Sequence, residues 1–319
     1  MLIKKIIKKI NKRDVARIQA DIYFSKFQKY SFVDCKCISK EQFRASIIRL
    51  YHTIEKGLCY EDYRAGFGRE NIEKLITSLE QYEGSGFDCS EFFYKTALSC
   101  LNMYINKNKE YGLFDKNLES RVKNLSGDAN SLGGVIEITE PEGLKNMNYE
   151  QLLKSRHSIR HFSEKPLDIN LITQAIQLAQ YTPSACNRQG WKTRIIVDRK
   201  IITGILNNQN GNKGFGQEID KLLIVTSDLR AQQRSREVFQ AYIDGGMYAA
   251  NILNALYYKG IGSVPLSAAL SNNQEKNIRK MVDIDDAEVL IMFIGIGNYP
   301  SGKFLTTRSE RCFENVQVI

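Results

Sequence analysis

The chain has 319 residues, 43% of them hydrophobic and 25% charged, with only five prolines. That composition excludes a disordered or fibrous protein, and the length allows two domains or one domain with a long extension. A net charge of +9 and a pI near 9.0 attract phosphate-bearing ligands, nucleic acid and anionic lipid alike, and do not choose among them.

No apolar run reaches the roughly 18 residues of a membrane span, and the N-terminus lacks the pattern of a signal peptide, so a cytoplasmic location is expected. Seven scattered cysteines read as free thiols rather than a disulfide framework. Three histidines, His52, His157 and His161, argue against a His-rich metal site. His52 and Glu55 share a helix face as in half of a di-iron motif, but the second half is absent.

In chain order, Ile3, Ile6, Ile7 and Ile10 alternate with Lys4, Lys5, Lys8, Lys9, Lys12 and Arg13 at helical spacing. Such a helix can make weak contact with an anionic membrane surface through residues 1–13, or pack on its own protein with the lysines solvated. Helix is expected over 14–30, and again from Ser39, which forms a capping-box pattern with Gln42, to a stop at Gly57. Further helices fit 69–82, 90–107 and 115–124. The stretch from His52 to Leu58, followed by Arg64-Ala65-Gly66-Phe67-Gly68, mixes charge and glycine in a way that looks specified. A helix end and a tight loop account for it.

Between Leu125 and Asn146 the helical period gives way to glycines and Pro141, around the short apolar run Val135 to Ile138. This places the domain boundary between a helical region over 1–147 and a second domain over 148–319. The latter alternates helices with β-rich runs at Thr193 to Asp198, Leu222 to Thr226 and Val289 to Gly295. The fold class is α+β: a mixed central sheet flanked by helices, preceded by an all-helical N-terminal domain.

Three clusters in the second domain bear on chemistry. In Arg156-His157-Ser158-Ile159-Arg160 the arginines and serine recur every second residue, so an extended backbone turns them to one side. Two guanidinium forks and a hydroxyl suit a phosphate, and a solvated basic strand is the plainer reading. From Tyr181 to Trp191, proline, small residues and two amides make a rigid loop that can present donors and acceptors to a planar heterocycle. A long apolar helix from about Val238 to Gly260 carries small residues suited to close packing against another helix or subunit. It leads into Ile261 to Ser267, a short strand broken by Pro265 that frees backbone N–H groups for a ligand. Two other glycine runs lack a nucleotide signature: Gly295-Ile296-Gly297 is followed by Pro300 rather than a helix, and Gly211 to Gly216 lacks the Lys-Ser/Thr of a P-loop.

In this order and spacing the segments resemble the nitroreductase family of FMN-dependent oxidoreductases, over roughly 148–319. The resemblance implies that Arg156, Ser158 and Arg160 grip the FMN phosphate and ribityl chain, with His157 beside them. It implies that Pro183, Ser184, Ala185, Asn187 and Gln189 line the flavin, and that backbone groups at Pro265, Leu266 and Ser267 meet its ring. It further implies that Arg311 closes on the phosphate, that Arg308 substitutes for the charge of a lysine whose usual position holds Ser309, and that Asn212 matches an asparagine near the ring's pyrimidine edge. Gly190 stands where proline is usual, and Ser267 where several members have an acidic residue.

The family further implies an NADH or NADPH donor, a small-molecule acceptor, and a homodimer with FMN at the subunit interface. No residue is assigned as general acid or base, and Cys186 reads as a buried small residue rather than a nucleophile. The competing expectation is a scaffold or membrane-surface protein whose flavin site is vestigial. Nucleic-acid binding has no recognition module to support it.

Overall fold

The computed structural model describes residues 12–31, 37–127 and 132–312; the basic segment over 1–11 lies outside them. The N-terminal periodicity is realised as α1 (Lys12–Tyr30), α2 (Lys40–Leu58), α3 (Arg69–Gly84), α4 (Phe92–Glu110) and α5 (Lys116–Asn124). At the start of α2, Ser39 accepts from the Gln42 backbone N–H and the Gln42 side chain accepts from that of Ser39, so both halves of the capping box are made. Asp115 caps α5 by accepting from Leu118 N–H at 3.0 Å.

By internal contact the chain divides into two compact units: Tyr30–Ile138 with the described residues from Phe304 onward, and Thr139–Lys303 with those before Tyr30. In the first, helices α2 to α5 enclose an apolar core in which Tyr82 meets Phe43, Phe87, Phe93 and Tyr94 at ring-centroid distances of 5.1 to 5.8 Å. A two-stranded ribbon completes it, β1 (Val135–Ile138) pairing antiparallel with the final strand β6 (Phe304–Thr307). Glu55, fully buried, accepts from Gly134 N–H at 3.2 Å and faces His52 Nδ1 at 3.1 Å, which ties α2 to the ribbon.

The expected stop at Gly57 is corrected: α2 runs on to Leu58, and Gly57 is buried within it. A Cβ there would lie 2.0 Å from the Phe67 ring, so glycine is required by close approach rather than by termination. Asn108 holds the loop in return, accepting from Tyr63 Oη at 2.8 Å and Gly66 N–H at 2.9 Å, while Tyr104 Oη donates to Phe67 O. The glycine-rich motif is thus a packing device.

In the second unit, α6 (Tyr149–Ser155) and α7 (Ile169–Ala179) precede β2 (Trp191–Ile196) and α8 (Arg199–Asn208). Then come β3 (Lys221–Asp228), α9 (Gln240–Tyr258), β4 (Gly262–Ser267), α10 (Asn272–Val282) and β5 (Glu288–Gly297). The sheet order is β2-β3-β5-β4. The expected mixed sheet is narrowed in one respect: each of its pairings is antiparallel, although helices intervene between strands. Helix α9 lays Tyr248, Ala249, Ile252 and Leu256 on Leu223, Val225, Ile294 and Ile296 of the sheet.

The strand expected to break at Pro265 is also corrected: β4 runs unbroken through it, because β4 is an edge strand, where a missing N–H costs no central ladder bond.

An ion network ties the sheet's polar end. Glu288, 2% exposed at its side chain, accepts from both Arg194 guanidinium nitrogens at 2.7 and 3.0 Å, from Lys192 at 3.0 Å and from Thr226 at 2.5 Å. Chiefly through Arg194, its pKa is pushed down to about 2 against the opposing effect of burial. A depressed carboxylate contributes its stability above the unfolded pKa near 4.3 and loses it as pH falls towards 2. Replacing Glu288 by Gln should therefore cost roughly 3 kcal/mol in urea unfolding at pH 7, and the difference from wild type should shrink through pH 4 to 2. In the helical unit, Gly57→Ala should cost about 1–3 kcal/mol through overpacking against Phe67, read as a lower thermal midpoint.

Candidate functional site

Helix α6 is opened by a capping box between Asn148 and Gln151 and ends at Arg156, whose backbone is extended. From there the chain runs beside β4, with Ile159 N–H donating to Ser263 O at 2.9 Å. Ile159 and Phe162 are buried anchors. A Cβ on Gly297 would lie 2.6 Å from the Phe162 ring, so this glycine makes room for it. Arg160 and His161 are buried too, at 7% and 6% exposure, and His161 Nδ1 lies 3.4 Å from Glu218 Oε2. Ser155 hydrogen-bonds Tyr257 near the end of α9; burial raises that phenol's pKa and the positive charge of Arg156 opposes the rise. The segment bearing Arg156, His157, Ser158 and Arg160 is therefore fixed to the β4 edge and to the C-terminal end of α9.

The loop bearing Pro183, Ser184, Ala185, Asn187 and Gln189 joins α7 to β2. Its backbone takes left-handed angles at three non-glycine residues, Cys186, Asn187 and Gln189. Such angles are costly and persist only where surroundings over-determine them. Within the loop, Ser184 Oγ accepts from Gln189 N–H at 2.9 Å, and Gln189 Nε2 donates to Asn187 O at 3.0 Å. The Asn187 and Gln189 side chains stay exposed.

From outside, Asn251 Nδ2 donates to Thr182 Oγ1 at 2.7 Å, and the Asp244 carboxylate accepts from Ala185 N–H at 3.3 and 3.4 Å. Arg188 donates to Glu237 at 2.9 Å and Gln232 at 3.1 Å, and this pairing holds the Glu237 carboxyl down to about 2. Beneath the loop, Trp191 stacks on Tyr248 with centroids 4.7 Å apart. Gln180 accepts from Trp191 Nε1 at 2.8 Å and donates to Tyr248 Oη at 2.7 Å, and Thr193 donates to the same oxygen at 3.1 Å.

The small-residue reading of the α9 segment missed these contacts. Asp244, Tyr248 and Asn251 recur at i, i+4 and i+7, one helix face that is polar within an apolar helix. An acidic residue inside so apolar a run was the available signal.

Gly190 has its own cause: a Cβ would lie 2.8 Å from Ala231 Cβ, in the turn Leu229–Ala231 that follows β3. On β4, Leu266 is buried, Pro265 half-buried and Ser267 exposed, its Oγ accepting from Ala269 N–H at 3.0 Å. Gln209, which sequence reasoning passed over, donates to Ser267 O at 3.0 Å. Asn212 donates through Nδ2 to Leu206 O and Gln209 O, both at 2.8 Å, and so closes the end of α8. Arg308 and Arg311 follow β6 in the helical unit, where Arg308 N–H donates to Gly134 O and Arg311 donates to Ser309 O.

One chain does not bring its two principal clusters together. The amide loop meets Asp244 and the arginine segment adjoins Tyr257, thirteen residues later on the same helix, which is about 20 Å along its axis. They also flank β2 and β4, the opposite edges of the sheet.

The Nitroreductase family model matches residues 153–208 and 203–298. Over residues 153–298 the chain thus matches the nitroreductase family, with additional helices before that region. It is 30% identical over 94 residues to a protein of Streptococcus pyogenes named as an NAD(P)H nitroreductase, a match covering 29% of this chain and 46% of that one. It is 26% identical over 153 residues to an Archaeoglobus fulgidus protein named as an NADH dehydrogenase/NAD(P)H nitroreductase, covering 47% and 84%. The chain thus spans less than half the length of the first relative. A solved Parabacteroides distasonis structure with the same kind of name aligns at 20% identity and a TM-score of 0.47, over 53% of this chain and 96% of that one.

The buried network under the loop makes a stability prediction. Tyr248→Phe removes one oxygen that accepts from both Gln180 and Thr193, and should lower the unfolding free energy by about 1–3 kcal/mol in urea titration. An unchanged midpoint would show that the network contributes nothing.

Proposed function

We propose that this chain is an FMN-dependent oxidoreductase that moves two electrons between NADH or NADPH and a small organic acceptor, a nitro compound, a quinone or a specific biosynthetic substrate. The observation that carries the reading is the segment from Arg156 to Arg160, which concentrates two guanidinium groups and a hydroxyl on a backbone pinned to an edge strand. That donor set fits a phosphate monoester, because charged forks supply paired hydrogen bonds and little reorganisation is needed. FMN, when bound, supplies the electron chemistry at its ring.

Arg156, Ser158 and Arg160, with His157 beside them, would hold the phosphate end. The loop from Pro183 to Gln189 would meet the ring with backbone and amide groups, as would the open edge of β4 at Pro265, Leu266 and Ser267. The roles of Asn212, Arg308 and Arg311 rest on the family pattern. No side chain is assigned a proton transfer, and the protein's part is orientation and exclusion of water from the ring face.

The separation of about 20 Å between loop and arginine segment supports a homodimer in which each flavin takes one cluster from each copy. The exposed apolar side chains of Phe239, Tyr242, Ile243 and Met247, at the loop end of α9, are consistent with such an interface. A vestigial site is less well supported, because Gly190, the departure within the loop, has a packing reason.

The test is reconstitution of the purified protein with FMN, followed by titration with NADH and with NADPH under nitrogen. Flavin absorbance should bleach with at least one donor and return on adding a quinone or nitroaromatic. Arg156→Ala should weaken FMN binding by about 2 kcal/mol, roughly 30-fold. Protein that takes up no flavin would refute the reading.

A further inference from the structure

The geometry points to Asp244 as a positioning residue that clamps the strained loop of the candidate flavin site in its binding conformation, an inference that rests on the FMN reading above. Asp244 is 2% exposed and lies in an apolar helix, where a carboxylate is expensive unless something uses it. Its hydrogen bonds are few and specific. Gln240 Nε2, one turn earlier on α9, donates to Oδ1 at 2.8 Å and orients the carboxylate, and the Ala185 N–H meets both its oxygens. No cation bonds it among the described residues; Arg188, whose charge it feels, is engaged by Glu237.

The grip falls where the loop requires it. Ser184 is extended and Ala185 opens a 3-10 turn, and left-handed residues follow at Cys186, Asn187 and Gln189. Each such residue is strained and persists only where its surroundings hold it. The loop is held at its entrance through Thr182 and near its exit through Arg188. Within the turn Asn187 N–H and Arg188 N–H bond loop carbonyls, whereas Ala185 N–H is held from outside the loop by Asp244, on a helix packed on the sheet. Core packing by itself would be served as well by Ala or Leu. What the carboxylate adds is a fixed acceptor that sets the turn before a ligand arrives, so that binding does not have to order it.

The test compares Asp244→Ala, Asp244→Asn and Ala185→Pro in the full-length protein. Two readouts are used: FMN affinity by quenching of flavin fluorescence, and amide hydrogen exchange over 184–190 without FMN. Asp244→Ala should weaken FMN about tenfold or more and speed exchange in the loop but not in β3 or β5. Asp244→Asn keeps an oxygen acceptor towards Ala185 and should stay within about threefold of wild type, a rescue that mere loss of a buried charge would not give.

Ala185→Pro removes the donor instead. Ser184 before it is already extended and the first position of a helical turn accepts proline, so it should reproduce the loss even if Asp244→Ala does not fold. Wild-type exchange and affinity in Asp244→Ala, or in Ala185→Pro if the former is unfolded, would overturn the clamp. So would an Asp244→Asn variant as impaired as Asp244→Ala. Failure of the wild-type protein to bind FMN would instead refute the cofactor reading, and the exchange measurement would still decide the clamp.

Discussion

The architecture of the sheet-containing unit depends on one helix that must satisfy two environments. Along one face α9 buries Tyr248, Ala249, Ile252 and Leu256 against the sheet, where any loss of fit would open a cavity. Overlapping that face, Asp244, Tyr248 and Asn251 reach towards the chain that connects α7 to β2. The apolar contacts supply most of the burial energy, whereas the polar column supplies direction. Because Tyr248 belongs to both sets, the position of the loop is coupled to the packing of the core. This loop, with its three left-handed residues, is held by an element that is itself fixed in the core.

The same helix keeps the two clusters of the proposed site apart. Its N-terminal part holds the amide loop and its C-terminal part adjoins the arginine segment, so a rigid rod of regular rise keeps them apart. Assembly is then a chemical requirement of the proposed reading, since ring-facing amides and phosphate-facing arginines must converge on one ligand. The helical unit contributes differently. Its Gly57 and Phe67 contact, the Asn108 bonds and the buried Glu55 are internal fastenings, and the C-terminal strand that carries the chain to Arg308 and Arg311 is paired there with β1.

Local features of the chain were legible wherever short-range chemistry decides structure. The Ser39 and Gln42 box specified a helix start, and continuous apolar runs rich in Leu, Ile and Val marked β3 and β5. The nitroreductase assignment was legible because several weak motifs occur in one order. What escaped were contacts between residues distant in sequence: the pairing of Val135 with Thr307, the bond from Asp244 to Ala185, and the approach of Ala231 to Gly190. Gly57 and Pro265 were misjudged for a related reason. Glycine and proline signal a break only when their neighbours leave the choice free, and here a facing ring and an edge-strand position decided it.

We propose that residues 156–160 bind the phosphate of FMN and that a second copy supplies the amide loop. A crystal structure of the FMN-soaked protein tests it most directly. Phosphate oxygens should bond Arg156, Ser158 and Arg160 of one protomer, with the ring against the segment from Pro183 to Gln189 of the other. Flavin density elsewhere, or both clusters of a single protomer meeting one flavin, would contradict it.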